Sequence, residues 1–452
     1  MNRKSKIRGG ISVKKNKAIL SMLLTFIMLV VITGCSGNSK PSSTTKEVTN
    51  ITFWHLWKGG EADEMQKVVD EFNKTHPQIH VNPLSGTTST KQLTALTGGN
   101  PPDVGYVIDY TLSKWASVGA VAPLDDMINK FKIDSKNYPD PVWKLGNYAG
   151  KQYAIPYTMD SYMLYYNKAM LTAAGIKNPP KTISELKKDA LLLTKKDDKG
   201  GYTQLGYISD FPWLDVLNMS FAFGENFYDY KNDKVTCNSK ENIDALSFKV
   251  ASYQNPYNAA EVKKFKSGFG EYESPNNPFF QKQLAFDIEG EWFTTFLKKY
   301  AKDLDYGMVP IPYPDGHPEL NNGGQIQSGM LYVSKACKNK DAAYEFINWL
   351  TSDAPNINFC TAKGSLPASF SAIDSPEFTA KAPSLVPFIQ IIKSGHAKAL
   401  PAVPFTKEYV NELTLQEQKA YDGEITPTQA LNNVAQKMQL LADQWVTSRN
   451  KK

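Results

Sequence analysis

Three short runs set tryptophans among polar neighbours: Trp54-His-Leu-Trp57-Lys58, Phe211-Pro-Trp213 and Gly290-Glu-Trp292-Phe. A core aromatic normally sits inside an apolar periodicity, whereas these rings are flanked by Gly, Pro or charge near predicted strand ends. Taken singly, such a ring is more often core than contact. In a chain with 12% aromatic residues it is the joint arrangement that carries weight. An indole has a flat apolar face and one N–H donor, while a sugar has flat C–H faces edged with hydroxyls. A carbohydrate site therefore combines aromatic platforms with carboxylates, amides and basic side chains.

Catalytic signatures are missing. There is no Gly-x-Ser-x-Gly elbow and no His-Glu-x-x-His. Gly146 to Lys151 has the wrong glycine spacing for a phosphate loop, with Gln152 where Ser or Thr would hold magnesium. Gly268-Phe-Gly270 runs into Glu-Tyr-Glu and is no dinucleotide fingerprint. The five histidines are far apart in sequence. Glu289 and Glu291 share one face of a strand-like run and could serve glycosidase chemistry with a further carboxylate. Carboxylates so placed are more often solvated or hydrogen-bonded to a ligand. The expectation is a binder rather than an enzyme, without a cofactor.

Charge is misleading here until the N-terminus is read. A basic arm (Arg3, Lys4, Lys6, Arg8, Lys14, Lys15, Lys17) precedes an uncharged apolar run from Ala18 to Thr33, the parts of a secretory signal. The run is shorter than the roughly 20 residues that span a bilayer. Ile32-Thr-Gly-Cys35 resembles the lipobox of bacterial lipoproteins, which makes Cys35 a lipidated mature N-terminus. Removing seven basic residues from a formal charge of +6 leaves about −1, no footprint for nucleic acid. Cys237, Cys337 and Cys360 remain, an odd set without a CxxC pair or a His at ligand spacing, which argues against a zinc site; no metal ligand is assigned among the site residues. A Cys337–Cys360 bridge stays open. A chain of 452 residues buries large cores without disulfides and divides into more than one domain.

These residues need a scaffold. Residues 35–50 are rich in Ser, Thr and Lys and read as a tether of roughly 20 Å. Order is predicted from Ile51, with a strand, then a helix over Glu61 to Lys74 carrying Met65, Val68, Val69 and Phe72 at helical spacing, stopped by His76-Pro77. Strands at Ile79-His-Val81 and Asp103 to Ile108 flank a helix at Gln92 to Leu96. This alternation implies an α/β domain with a largely parallel sheet. Beyond Pro156 come an aromatic strand (Tyr162 to Tyr166), helices at Lys168 to Ala174 and Ser184 to Thr194, and an ordered loop over Phe265 to Phe280. Amphipathic helices follow at Asp341 to Ser352 and Thr428 to Gln444.

At this point the chain resembles the family 1 extracellular solute-binding proteins of sugar ABC transporters, the relatives of maltose-binding protein. The landmarks run in order over nearly everything after Asn50. They are Ile51-Thr-Phe-Trp-His-Leu-Trp57, Pro102-Asp103-Val, Gly150-Lys-Gln-Tyr-Ala-Ile-Pro156, Leu164-Tyr-Tyr-Asn-Lys168, Ala174 to Thr182, Leu284-Ala-Phe-Asp-Ile-Glu-Gly-Glu-Trp292, Val309-Pro-Ile-Pro312 and Ala343 to Leu350. The resemblance implies a two-lobe α/β fold of the periplasmic-binding-protein type II class with three interlobe crossings. Residues 1–34 would be the signal, 51–157 and 329–370 lobe one, and 158–328 and 371–452 lobe two. The crossings would lie near Pro156, Ser328 and Ala368. It also implies an oligosaccharide ligand in the interlobe cleft, delivery to ABC permease subunits, and a monomer lipid-anchored on the outer face of a Gram-positive-type cell membrane. Carried over by position, the ligand contacts are Trp57 and Lys58 in the first turn, Tyr106, Asp109 and Tyr110 after Pro102-Asp103, Asp160 beyond the first crossing, Trp213, and Glu291 with Trp292. The family's later stacking Trp is replaced, with Tyr409 as the candidate.

Other readings stay in view. A same-fold polyamine binder would want more converging acids than Asp109, Asp160 and Glu291. A metal-complex binder would want paired tyrosines, yet Tyr165 and Tyr166 point to opposite strand faces. A lipid-anchored hydrolase and a purely structural lipoprotein stand further off.

Overall fold

The computed structural model describes residues 47–212, 216–254 and 257–449. The expected signal, lipidation at Cys35, and Trp213 lie outside the described residues. The first strand, Thr49–Trp54, begins two residues before the expected start of order at Ile51, because Thr49 and Asn50 already pair with Ile79 and His80. Its inward residues Ile51 and Phe53 are buried and alternate with exposed Asn50 and Thr52. The helix Gly59–Thr75 buries Met65, Val68, Val69 and Phe72, the stripe predicted from spacing. Phe72 meets Phe346 and Trp349 edge-on at 5.0 and 5.4 Å. Each such side chain contributes about 1.5–3 kcal/mol by burial.

Strands Ile79–Leu84, Thr49–Trp54 and Val104–Ile108 are parallel neighbours, as the alternation implied. The centre of the sheet departs from that expectation. There Gly324–Val333 runs antiparallel to both Val104–Ile108 and the 14-residue strand Ala154–Asn167. This long strand serves two groups. Residues up to Ser161 pair with Gly324–Val333 and Leu366–Pro367, and those from Tyr162 onward pair with Leu284–Gly290 and Tyr306–Val309. Leu284–Gly290 in turn pairs in parallel with Tyr202–Tyr207. One strand thus joins two sheet regions, and the chain passes between them at Asp160 to Tyr162. A second core is closed by the helices Lys240–Gln254, Thr406–Tyr421 and Pro427–Arg449 around Phe221, Phe227 and Val434.

The three described cysteines are free and buried, which closes the question of a Cys337–Cys360 bridge. Among the described residues no helix is long and apolar enough to cross a membrane.

Candidate functional site

A cavity of about 370 Å³ opens where the two sheet regions meet. Tyr110 enters it from the single turn Asp109–Thr111 that follows strand Val104–Ile108. Tyr162 and Gln327 come from the two central strands, Trp292 from the end of Leu284–Gly290, and Leu413 and Glu417 from the helix Thr406–Tyr421. Gln327 lies directly opposite Asp160 in the antiparallel register. Opposed residues share a sheet face, as do residues two apart in a strand. Asp160, Tyr162 and Gln327 therefore project to one side. Tyr162 donates its hydroxyl to Gln327 Oε1 at 3.3 Å.

Trp292 is half-buried, and its ring lies on Gly290. A Cβ at Gly290 would come within 2.1 Å of the indole, so only glycine permits this seat. Tyr162 meets the ring edge-on at 5.5 Å. The indole N–H donates to Tyr272 Oη at 2.8 Å, and Tyr272 donates to Glu289 Oε2 at 2.7 Å.

Beside the aromatics lies a charge cluster. Glu291 is buried, with Oε2 accepting from the Ser161 amide at 3.0 Å. Burial, reinforced by the neighbouring Asp160 carboxyl, holds Glu291 well above the usual carboxylate range. Lys363 ends the helix Asp353–Lys363, where Gly364 takes the left-handed conformation (φ 81°) that terminates it. Its Nζ stands 2.5 Å from Ser365 Oγ and 3.9 Å from Glu61 Oε1. Burial opposes the charge on Lys363, but Asp160, Glu61 and Glu291 together outweigh it and raise its pKa. Glu61, in the first turn of Gly59–Thr75, is 46% exposed; partial desolvation raises it, with Lys363 acting the other way. One ammonium thus sits among three carboxyl groups next to an aromatic platform. Such a set donates and accepts hydrogen bonds around a hydroxyl-rich ligand.

Of the expected contacts, Tyr110 and Trp292 line the cavity, while Asp160 and Glu291 lie in the charge cluster. Asp109 stands in the same turn as Tyr110, and Lys58 is exposed just before the helix that bears Glu61. Three expected contacts are corrected. Trp57 is 4% exposed, its ring packed 4.1 Å from Tyr106 and 4.5 Å from Phe359. Tyr106 is buried, with its hydroxyl paired to Thr158 Oγ1 at 3.0 Å. Tyr409 is 1% exposed and donates to the Phe227 carbonyl at 2.7 Å. None of these rings has a free face, because each fills the core beneath its element. The solvated reading of Glu289 and Glu291 is overturned too, since both are buried. Sequence reasoning missed Glu61, Lys363, Tyr162, Gln327 and Tyr272. Only Tyr162 carried a local signal, two residues from Asp160 on a strand. Among the described residues no group of three or more His, Cys, Asp or Glu could hold a metal.

The family model for bacterial extracellular solute-binding protein matches residues 58–357. The chain is 22% identical over 364 residues to the maltotriose-binding protein of Pyrococcus abyssi, covering 78% of this chain and 73% of that one. It is 24% identical over 337 residues to the sn-glycerol-3-phosphate-binding periplasmic protein UgpB of Rhizobium meliloti, covering 72% and 76%. Among solved structures it is similar to CpMnBP1 with mannotriose bound, at a TM-score of 0.73 and 26% identity, covering 87% of this chain and 100% of that one. The fold is the two-lobe α/β architecture of type II periplasmic binding proteins, with the cavity at the join. With a match that spans both sheet regions and the join itself, the chain belongs to the bacterial extracellular solute-binding protein family.

Proposed function

We propose that this protein captures an oligosaccharide in the cavity between its two sheet regions and delivers it to the permease of an ABC importer, acting by binding and not by catalysis. The observation that carries the reading is Trp292, seated on Gly290 with its ring at the cavity and its N–H already engaged. One sugar unit stacks on that ring, and Asp160, Glu61 and Lys363 take its hydroxyls, with buried Glu291 behind them. Tyr110 and Tyr162 extend the apolar surface, which suits more than one unit. The maltotriose-binding relative and the mannotriose-bound structure support the same class. The sn-glycerol-3-phosphate-binding relative points elsewhere, but a phosphoester here would face three carboxyl groups around a single lysine. Closure brings lobe one (51–157 and 329–370) against lobe two (158–328 and 371–452) about Pro156, Ser328 and Ala368. A lipid on Cys35 keeps the protein, as a monomer, on the outer face of the cell membrane, in a Gram-positive-type cell.

Calorimetry with maltotriose, mannotriose, diacetylchitobiose and sn-glycerol 3-phosphate tests the reading. At least one oligosaccharide should bind, and Trp292→Ala should weaken it at least about tenfold, equivalent to 1.4 kcal/mol. Tightest binding to sn-glycerol 3-phosphate, or unchanged sugar affinity in Trp292→Ala, would overturn it.

A further inference from the structure

We infer that Tyr272 and Glu289 are positioning residues that fix the plane of the Trp292 ring through an unbroken indole-to-hydroxyl-to-carboxyl chain of hydrogen bonds, an inference that rests on the oligosaccharide reading above. The hydrogen bonds run in one direction, from indole to hydroxyl to carboxyl. An indole N–H only donates, so Tyr272 Oη must accept from Trp292 at 2.8 Å. The single hydroxyl hydrogen then goes to Glu289 Oε2 at 2.7 Å. A ring held on one side by Gly290, on another by the edge of Tyr162, and at its only polar atom by Tyr272 has little freedom left.

Tyr272 is itself tied down. It lies in the loop between the helix Ala259–Lys266 and the strand Leu284–Gly290. Asn277 is buried and donates to the Tyr272 carbonyl at 3.3 Å, Glu273 pairs with Lys299 at 3.1 Å, and the Tyr272 ring meets Phe296 edge-on at 5.5 Å. The loop is therefore pinned to the helix Phe293–Tyr300, which begins immediately after Trp292. Glu289 is buried on the acid-bearing face of its strand, two residues from Glu291 and two from Asp287. Burial holds it well above the usual carboxylate range. A neutral carboxyl still offers an acceptor oxygen, and an amide of the same shape offers one as well. Pre-ordering a stacking surface removes the ordering cost from the binding step.

The test uses the full chain with maltotriose and mannotriose as probes. It reads affinity by calorimetry, the near-ultraviolet circular dichroism of the unliganded protein, and melting temperature. Tyr272→Phe removes one oxygen and should weaken sugar binding about threefold to tenfold, changing the part of the dichroism that Trp292→Ala abolishes. Glu289→Met should do the same, whereas Glu289→Gln should stay within about twofold of the parent, since it keeps the acceptor. In a Trp292→Ala background, Tyr272→Phe should cause no further loss. If Trp292→Ala loses affinity while Tyr272→Phe retains both affinity and dichroism, the positioning role is wrong and the sugar site stands. If Trp292→Ala loses nothing with either sugar, the site reading fails first. A Glu289→Gln variant as weak as Glu289→Met overturns the acceptor role of Glu289. Should Glu289→Met fail to fold, Tyr272→Phe and Glu289→Gln still decide the matter.

Discussion

Lys249→Met should lower folding stability by about 3–5 kcal/mol, because it strips one partner from a buried ion pair. Lys249 Nζ lies 2.8 Å from Glu417 Oε1, and the two side chains are 3% and 2% exposed. The second carboxylate oxygen of Glu417 accepts from the Val216 amide at 3.0 Å, which anchors the helix Thr406–Tyr421 to the cavity wall. Lys67 and Glu64 are as close, at 2.7 Å, but 70% and 35% exposed. Solvent screens that pair, so Lys67→Met should change stability by no more than about 0.5 kcal/mol. Equal distances with unequal burial isolate desolvation as the cause. Adding Glu417→Gln to Lys249→Met should restore much of the loss, since a neutral amide keeps an acceptor for Val216 without leaving a bare buried charge. Guanidinium unfolding of the four proteins, compared at constant slope, gives the numbers. A loss below about 1 kcal/mol for Lys249→Met, or a double variant no more stable than Lys249→Met, would refute the reasoning.

Gly290→Ala should displace the Trp292 ring, since the new Cβ would stand 2.1 Å from it. Sugar affinity measured by calorimetry should fall at least about tenfold while the fold persists. Burial lowers His55 from 6.5 to about 4, and among the described residues its Nδ1 has no partner. The unfolded chain binds the extra proton between those values, so stability falls as pH drops from 6.5 towards 4 and then levels off, by about 3 kcal/mol in all. His55→Leu should flatten that slope in denaturant titrations, and an unchanged slope would rule the histidine out. Asp287 has the opposite sign. Burial, then the Glu289 charge, raises it well above 3.8, against a weaker opposing contact from the Ile288 amide. The unfolded chain loses this proton first, so its contribution falls as pH rises above 3.8. Asp287→Asn should therefore gain stability relative to the parent at pH 8 more than at pH 5, and equal gains would contradict the assignment. Cys35→Ser should release the expressed protein from membranes on fractionation; full-length protein that stays membrane-bound would make the apolar segment a span.

Much of the local structure was legible because its physics is local. Met65, Val68, Val69 and Phe72 mark one helix face whatever that face later meets, and residues two apart in a strand share a side, which relates Asp160 to Tyr162 and Glu289 to Glu291. A glycine two residues before Trp292 marks a close approach that tertiary structure then used. Polar neighbours, by contrast, did not say which way a ring turns. Trp57 carries the same local signature as Trp292, and Tyr106 and Tyr409 are named by the family resemblance, yet packing from segments far along the chain covers all three. Lys363 reaches Asp160 and Glu61 across about 200 and 300 residues of chain, and Tyr272 reaches Trp292 from within a loop. No periodicity reports such meetings. The pairing of Ala154–Asn167 with two sets of strands was equally hidden, since pairing partners are chosen by packing and loop closure over the whole chain rather than by the residues of the strand. The types of side chain available for sugar recognition belong to the sequence; which of them share a cavity, and in what charge state, only the assembled fold decides, because burial and long-range contact set both.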